Sequence, residues 1–352
     1  MPSKEEVIAA FNPNDPGMSG QLFGLPFSEE NAEVIIIPVP WEVTVSYKSG
    51  TAHAPQAILE ASAQVDLHVK DIADAWKLGV AMLPVPEKIL EESNTLRALA
   101  VKNIEALEAG DETGDAVATT KVNDACQSLS IYVKNTVKKY LQQNKLVGLL
   151  GGNHSTPLGF IYALSELHDH FGILQIDAHA DLRKSYEGFT YSHASIMYNA
   201  LKMPSVRKLV QVGIRDYCEE EQKVIDRSKG RVKVFFDEDI KHAQYNGEMW
   251  SNICKKIVSE LPDLVYISFD IDGMDSKLCP NTGTPVAGGF EFHHITMLLK
   301  TLVQSGKKII GFDLNEVAPG ESGDWDANVG ARLLYQLINS MGVSQGRLKY
   351  TG

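Results

Sequence analysis

The chain has 352 residues, 44% hydrophobic and 22% charged, a composition that suits a globular protein with a large core. Its net charge of −12 argues against nucleic acid or an anionic membrane as partner and suits a cationic small molecule. No run approaches the ~18 apolar residues of a membrane span, and the opening stretch MPSKEEVIAAFNPND lacks the apolar core of a signal peptide.

In chain order, residues 1–30 read as an N-terminal extension to a single domain spanning 1–352. Strand-length runs of almost unbroken Val, Ile, Leu and Phe follow at 34–39, 146–150, 172–176, 209–212, 232–236, 264–269 and 309–312. Such runs mark strands covered on both faces. Helical stretches lie between them, for example at 128–143, 248–261 and 294–304. The alternation implies one three-layer α/β/α unit with a mainly parallel central sheet. Residues 105–118 (EALEAGDETGDAVA) read as an acidic, solvated loop between two helices. Cys126, Cys218, Cys254 and Cys279 lie far apart with no metal-binding spacing. They read as free buried thiols, so a cytoplasmic, reducing location is expected.

The chemistry sits just after three strands, where open parallel sheets place their ligands. In LLGGNHS, a strand stops at Gly151 and Gly152 and is followed by His154. Paired glycines permit positive φ and close backbone approach, and the absence of GxxxxGK[ST] rules out a phosphate loop. In LQIDAHAD, alternation along an extended backbone turns Asp177, His179 and Asp181 to one face. Crowded carboxylates of this kind are unfavourable without a cation. In SFDIDGMD, Asp270 and Asp272 again share a face, while Asp275, beyond Gly273, orders the turn. Two histidines and four aspartates together suit two divalent cations, and the imidazoles shift the expectation toward Mn²⁺, with Ni²⁺, Co²⁺ or Zn²⁺ as alternatives. Two cations sharing a water lower its pKa toward neutrality, which makes hydroxide available without a protein base.

GGNHS, DAHAD and DIDGMDSKLCPNTGTPVAGG occur in the order of the ureohydrolase motifs, so the chain resembles the arginase and agmatinase family. The segments PVPWEVTVSYKSGTAHAPQAIL and FDLNEVAP share the likeness, and the match covers most of the chain. The resemblance implies an arginase-like fold, a homotrimer or homohexamer, and hydrolysis of a guanidino compound to urea and an amine. By motif position, one metal takes His154, Asp177, Asp181 and Asp270, and the other takes Asp177, His179, Asp270 and Asp272. The resemblance also makes His193 a proton shuttle, Glu316 the partner of the guanidinium, and Thr284 a wall of the pocket. Asp181 would help to stabilise the tetrahedral intermediate. A planar guanidinium is well met by a carboxylate that accepts two parallel hydrogen bonds.

The chain departs from the family at Asn153, where Asp is common, which bears on metal identity and affinity. The loop after DAHAD has the DLRxxYEGxxxSH form of agmatinase-like members rather than the Asn/Ser-rich form of arginases. Agmatine is therefore the first expected substrate, with arginine, a guanidino acid or guanidine as alternatives. Within this loop Glu187 is a candidate partner for a terminal amine. Arg183 is a candidate clamp for a carboxylate, so the two point to opposite substrates. A one-zinc deacetylase or amidase needs fewer ligands than these six, and a non-catalytic oligomeric homologue would not need Glu316 and His193.

Overall fold

A computed structural model describes residues 2–111, 114–320 and 324–351. Its eight strands are β1 Val34–Val39, β2 Val80–Met82, β3 Leu146–Gly151, β4 Phe171–Ile176, β5 Val206–Ile214, β6 Val232–Phe236, β7 Leu264–Asp270 and β8 Lys308–Asn315. They form one sheet in the order β2-β1-β3-β8-β7-β4-β5-β6. Every pairing is parallel. Every residue of β1 and β4 is buried, as expected for strands covered on both faces. The three-residue edge strand β2 was absent from the sequence reading, because so short a run gives no periodicity to detect.

Helices link the strands: α1 Lys4–Ala10, α2 Ala54–Ser62, α3 Glu87–Glu108, α4 Ala116–Leu141, α5 Leu158–Leu167, α6 Ile196–Ala200, α7 Glu219–Arg227, α8 Asp237–Tyr245, α9 Trp250–Ser259, α10 Phe292–Gln304 and α11 Trp325–Ser344. One packed group comprises α3, α4 and α5, and another α2, α9, α10 and α11. The α/β/α arrangement read from the alternation is the one that forms.

The stretch 105–118 is narrower as a loop than expected. Its first four residues end α3 and its last three begin α4, which Asp115 caps by accepting from the N–H groups of Val117 and Ala118. Residues 112 and 113 of that stretch lie outside the described residues. Cys126, Cys254 and Cys279 are buried, whereas Cys218 is partly exposed at the N-cap of α7, contrary to the expectation of four buried thiols. No helix of the described residues is long and apolar enough to cross a membrane.

Candidate metal centre

Four neighbouring strands, β3, β8, β7 and β4, end side by side, and the polar residues of the motifs gather at their C-terminal edge. His154 follows β3, Asp177 follows β4, Asp270 ends β7 and Glu316 follows β8. Close approach explains the paired glycines. A Cβ on Gly152 would stand 2.1 Å from the Trp41 carbonyl oxygen, and one on Gly151 1.9 Å from Asn315 Oδ1. Positive φ, the other reading of that pair, occurs at neither.

Both aspartate motifs fold on the same local device. Asp177 Oδ1 accepts the His179 N–H at 2.7 Å, and Asp270 Oδ1 accepts the Asp272 N–H at 2.9 Å. Each is a side-chain turn of the kind Asp favours, and each leaves Oδ2 facing the cluster. Strand alternation is not what converges the DAHAD ligands, because β4 ends at Ile176. Asp181 turns inward through a left-handed backbone, φ 53°.

His154 Nδ1 lies 3.0 Å from Asp177 Oδ2, 3.0 Å from Asp181 Oδ2 and 3.4 Å from Asp270 Oδ2. It is buried, and none of these contacts is aligned as a hydrogen bond. A nitrogen and three carboxylate oxygens aimed at one point is the arrangement of ligands around a cation. A second group forms beside it, with His179 Nδ1 3.0 Å from Asp272 Oδ2 and 3.7 Å from Asp177 Oδ1. Within each of the groups His154–Asp177–Asp270 and Asp177–His179–Asp272, ligand atoms lie within 4.8 Å of one another, and Asp177 belongs to both. Both groups could hold a metal ion, and their mixed nitrogen and oxygen donors fit a borderline divalent cation.

The electrostatics point the same way. Burial, reinforced by Asp272, Asp177 and Glu316, holds the Asp270 carboxyl well above its ordinary value. Burial and Asp177 push Asp181 up to about 7. Burial would lower the His154 imidazole, but Asp177 and Asp181 outweigh it and the ring is held well above its usual range. Without cations the cluster takes up protons instead, so positive charge is what it requires.

Buried groups behind the cluster fix its orientation. His154 Nε2 stands 2.9 Å from Ser268 Oγ, which donates to Asp313 Oδ1 at 3.1 Å. With Ser268 donating onward to Asp313, Nε2 carries a proton, so Nδ1 is the nitrogen that would offer its lone pair to a cation. Gln175 Nε2 donates to Asp177 Oδ2 at 2.8 Å. Sequence reasoning missed Ser268, Asp313 and Gln175. Their signal was a lone polar residue inside or at the end of an otherwise apolar strand.

Glu316 also has a left-handed backbone, φ 61°. Its Oε1 accepts the His154 N–H at 2.8 Å, while Oε2 is buried without a partner. Burial pushes its carboxyl up to about 8. A Cβ on Gly283 would stand 3.1 Å from Oε2, so the glycine of TGTP leaves space before the carboxylate. Thr284 Oγ1 reaches Asp272 Oδ2 at 3.5 Å, and Asp275 orders its turn by accepting the Lys277 N–H, as read from the sequence.

His193 is a partly exposed residue, but the protein packed around its ring, together with the charge of His179, pushes its pKa down to about 3. Its backbone N–H donates to Thr44 Oγ1, which also accepts from Asn153 Nδ2 at 3.1 Å. Asn153 Oδ1 accepts from Ser155 N and Oγ. The amide at this position thus ties the loop after β1 to the GGNHS turn. Arg183 lies over the Tyr186 ring at 4.8 Å, with Nε 3.9 Å from Glu221 Oε2. Glu187 is half-buried, and its Oε2 has no partner.

Comparison with known proteins shows which family and fold the chain shares. The Arginase family model matches residues 32–340. An N(1)-aminopropylagmatine ureohydrolase of Synechocystis sp. is 30% identical over 321 residues, covering 90% of this chain and 92% of that one. An agmatinase of Pyrococcus horikoshii is 26% identical over 309 residues, covering 88% and 92%. The crystal structure of an agmatine ureohydrolase of Thermoplasma volcanium superposes with a TM-score of 0.70 at 21% identity, covering 97% of this chain and 99% of that one, a likeness of fold.

Proposed function

This chain belongs to the arginase family of ureohydrolases, and from that membership we propose that it cleaves an amine-bearing guanidino compound of the agmatine type to urea and an amine. It is a hydrolase of C–N bonds. The observation that carries the reading is Glu316 Oε2, a buried, unpartnered carboxylate oxygen facing the space left by Gly283, beside two His/Asp groups that share Asp177.

In this reading His154, Asp177, Asp181, Asp270, His179 and Asp272 hold two divalent cations, Mn²⁺ first and Ni²⁺ or Co²⁺ as alternatives. When bound, the cations supply Lewis acidity that brings the pKa of water toward neutrality. Glu316 accepts guanidinium N–H groups and fixes the carbon in front of the cluster. Asp181 helps to stabilise the tetrahedral intermediate. His193, partly exposed, carries a proton between the departing nitrogen and solvent. Thr284 lines the pocket next to Asp272. The chain acts as a homotrimer or homohexamer in the cytoplasm.

Agmatine is the first substrate. Its aminopropyl derivative is the second reading, favoured by relatives of that name at 28–31% identity. Urea release from agmatine, aminopropylagmatine, arginine, 4-guanidinobutyrate and guanidine, measured with each metal loaded, tests the assignment. Turnover of one of the first two is the expected result. Preference for arginine or the guanidino acid overturns the substrate class, and no turnover of any compound overturns the enzyme assignment.

A further inference from the structure

The loop that carries His193 contains a turn whose sequence does not suit its geometry. Tyr186 and Phe189 exchange backbone hydrogen bonds at 3.1 and 2.8 Å, and the two residues between them, Glu187 and Gly188, have φ of 52° and 83°. Positive φ at both central positions defines the tight turn that Asn-Gly or Gly-Gly fills without strain. Glutamate is a poor choice there, since its side chain gains no local hydrogen bond in return. The turn is nonetheless held firmly. Asn103 on α3 donates to the Glu187 carbonyl at 3.0 Å, and Asn123 on α4 donates to the Gly188 carbonyl and accepts the Thr190 N–H. Backbone strain kept in place by surrounding structure is a mark of functional positions.

The carboxylate so placed has no direct partner at Oε2. That oxygen is buried without a hydrogen bond, and no Lys, Arg or His nitrogen among the described residues lies within 4.0 Å. Two cations act on it only from a distance, and neither donates to it; Arg97 Nε is itself buried without a partner. Arg183 is directed to Glu221 and the Tyr186 ring, and Arg97 Nη1 donates to the Val43 carbonyl at 3.3 Å. Val43 adjoins Thr44, which holds the His193 backbone, and the Tyr186 ring meets His193 edge-on at 6.1 Å. Glu187 therefore stands one residue beyond a contact of the reaction centre.

We propose that Glu187 determines substrate specificity by accepting the far-end ammonium of the substrate, which selects aminoalkyl guanidines over guanidino acids and amino acids. The inference rests on the ureohydrolase reading and names the residue that sets its substrate class. Burial, with the exposed Glu108 nearby, raises the Glu187 carboxyl to about 7 against the partial relief of Arg97 and Arg183, so a bound cation is favoured there. Glu187 leaves the metal groups untouched.

The test uses the Mn²⁺-loaded enzyme with Glu187→Gln and Glu187→Asn. The Asn variant suits the turn better than the native residue and is expected to melt at or above wild type, so loss of fold cannot account for its behaviour. The ratio of kcat/KM for agmatine to that for n-butylguanidine, which lacks the amine, is expected to fall about ten- to hundred-fold in both variants. Calorimetric affinity for 1,4-diaminobutane should fall by a similar factor, and this measurement needs no turnover. A ratio and diamine affinity within about threefold of wild type would overturn the proposal, as would wild-type preference for 4-guanidinobutyrate. If the wild type hydrolyses no guanidino compound, the ureohydrolase reading fails while diamine binding still judges Glu187.

Discussion

Asp177 is the residue common to both ligand groups, and its two oxygens are already oriented by His179 N–H and Gln175. Asp177→Ala is expected to lose both cations, because the remaining acids cannot offset two charges so close together. Metal analysis of purified protein checks this, and wild-type content would rule out the shared role. Glu316→Gln keeps the fold but removes the charge that meets the guanidinium. An unmatched buried charge costs about 2–5 kcal/mol, so kcat/KM should fall about thirty- to several-thousand-fold with metal content unchanged. A loss below threefold would mean that Glu316 does not face the substrate. His193→Asn is expected to lower kcat about 10²–10⁴-fold, partly restored by added imidazole. At this scale the residue types were legible from the motifs. The left-handed turns at Asp181 and Glu316 were not, because nothing in a non-glycine residue announces positive φ.

At the scale of elements, β7 and β8 are joined beneath the cluster by the Ser268–Asp313 hydrogen bond that orients His154. The sequence reading ended the last strand at Phe312, the final apolar residue of the run, whereas β8 continues to Asn315. Asp313 Oδ1 is satisfied within the buried strand by Ser268 Oγ, the Phe269 N–H and Asn315 Nδ2, which all donate to it, while Oδ2 is buried without a partner. Ser268→Ala would leave the His154 Nε2–H buried and unpaired and free the ring to rotate. Metal affinity is expected to fall about ten- to hundred-fold, with little change in KM for substrate once metal is saturating. Competition with a fluorescent chelator measures the first quantity, and an unchanged metal Kd would show that Ser268 does not hold the ring.

For the whole molecule, the cation-free cluster links stability to pH. Asp181 and Glu316 have folded-state values raised to about 7 and about 8, well above the ~4 of a carboxyl in an unfolded chain. The folded protein therefore binds more protons than the unfolded one as pH rises toward 8, and its stability falls over that range. His154 and His179, also raised, act in the same direction. His193, lowered from 6.5, acts oppositely, but only below that value. Between about pH 7 and 9, the Tm of chelator-treated protein should therefore decline. Divalent cations require the deprotonated ligands, so the gap between metal-loaded and metal-free Tm should widen over the same interval. Calorimetry on both forms checks the sign, and a metal-free Tm that rises with pH would contradict it.

By itself the sequence determined the alternation of buried strands and helices, hence a parallel α/β sheet, and the residue types that gather beyond its strand ends. Both signals are local: continuous apolar runs require cover on two faces, and clustered acids after a strand require positive charge. Only the tertiary structure decided which strand ends meet. The central order β3-β8-β7-β4 sets residues far apart in the chain side by side, and no local pattern encodes that order, because strand neighbours are chosen by packing and crossover geometry. The same holds for Glu187, whose turn is pinned by Asn103 and Asn123 from helices remote in sequence. That its carboxylate oxygen is buried without a partner is likewise a matter of what packs around the turn.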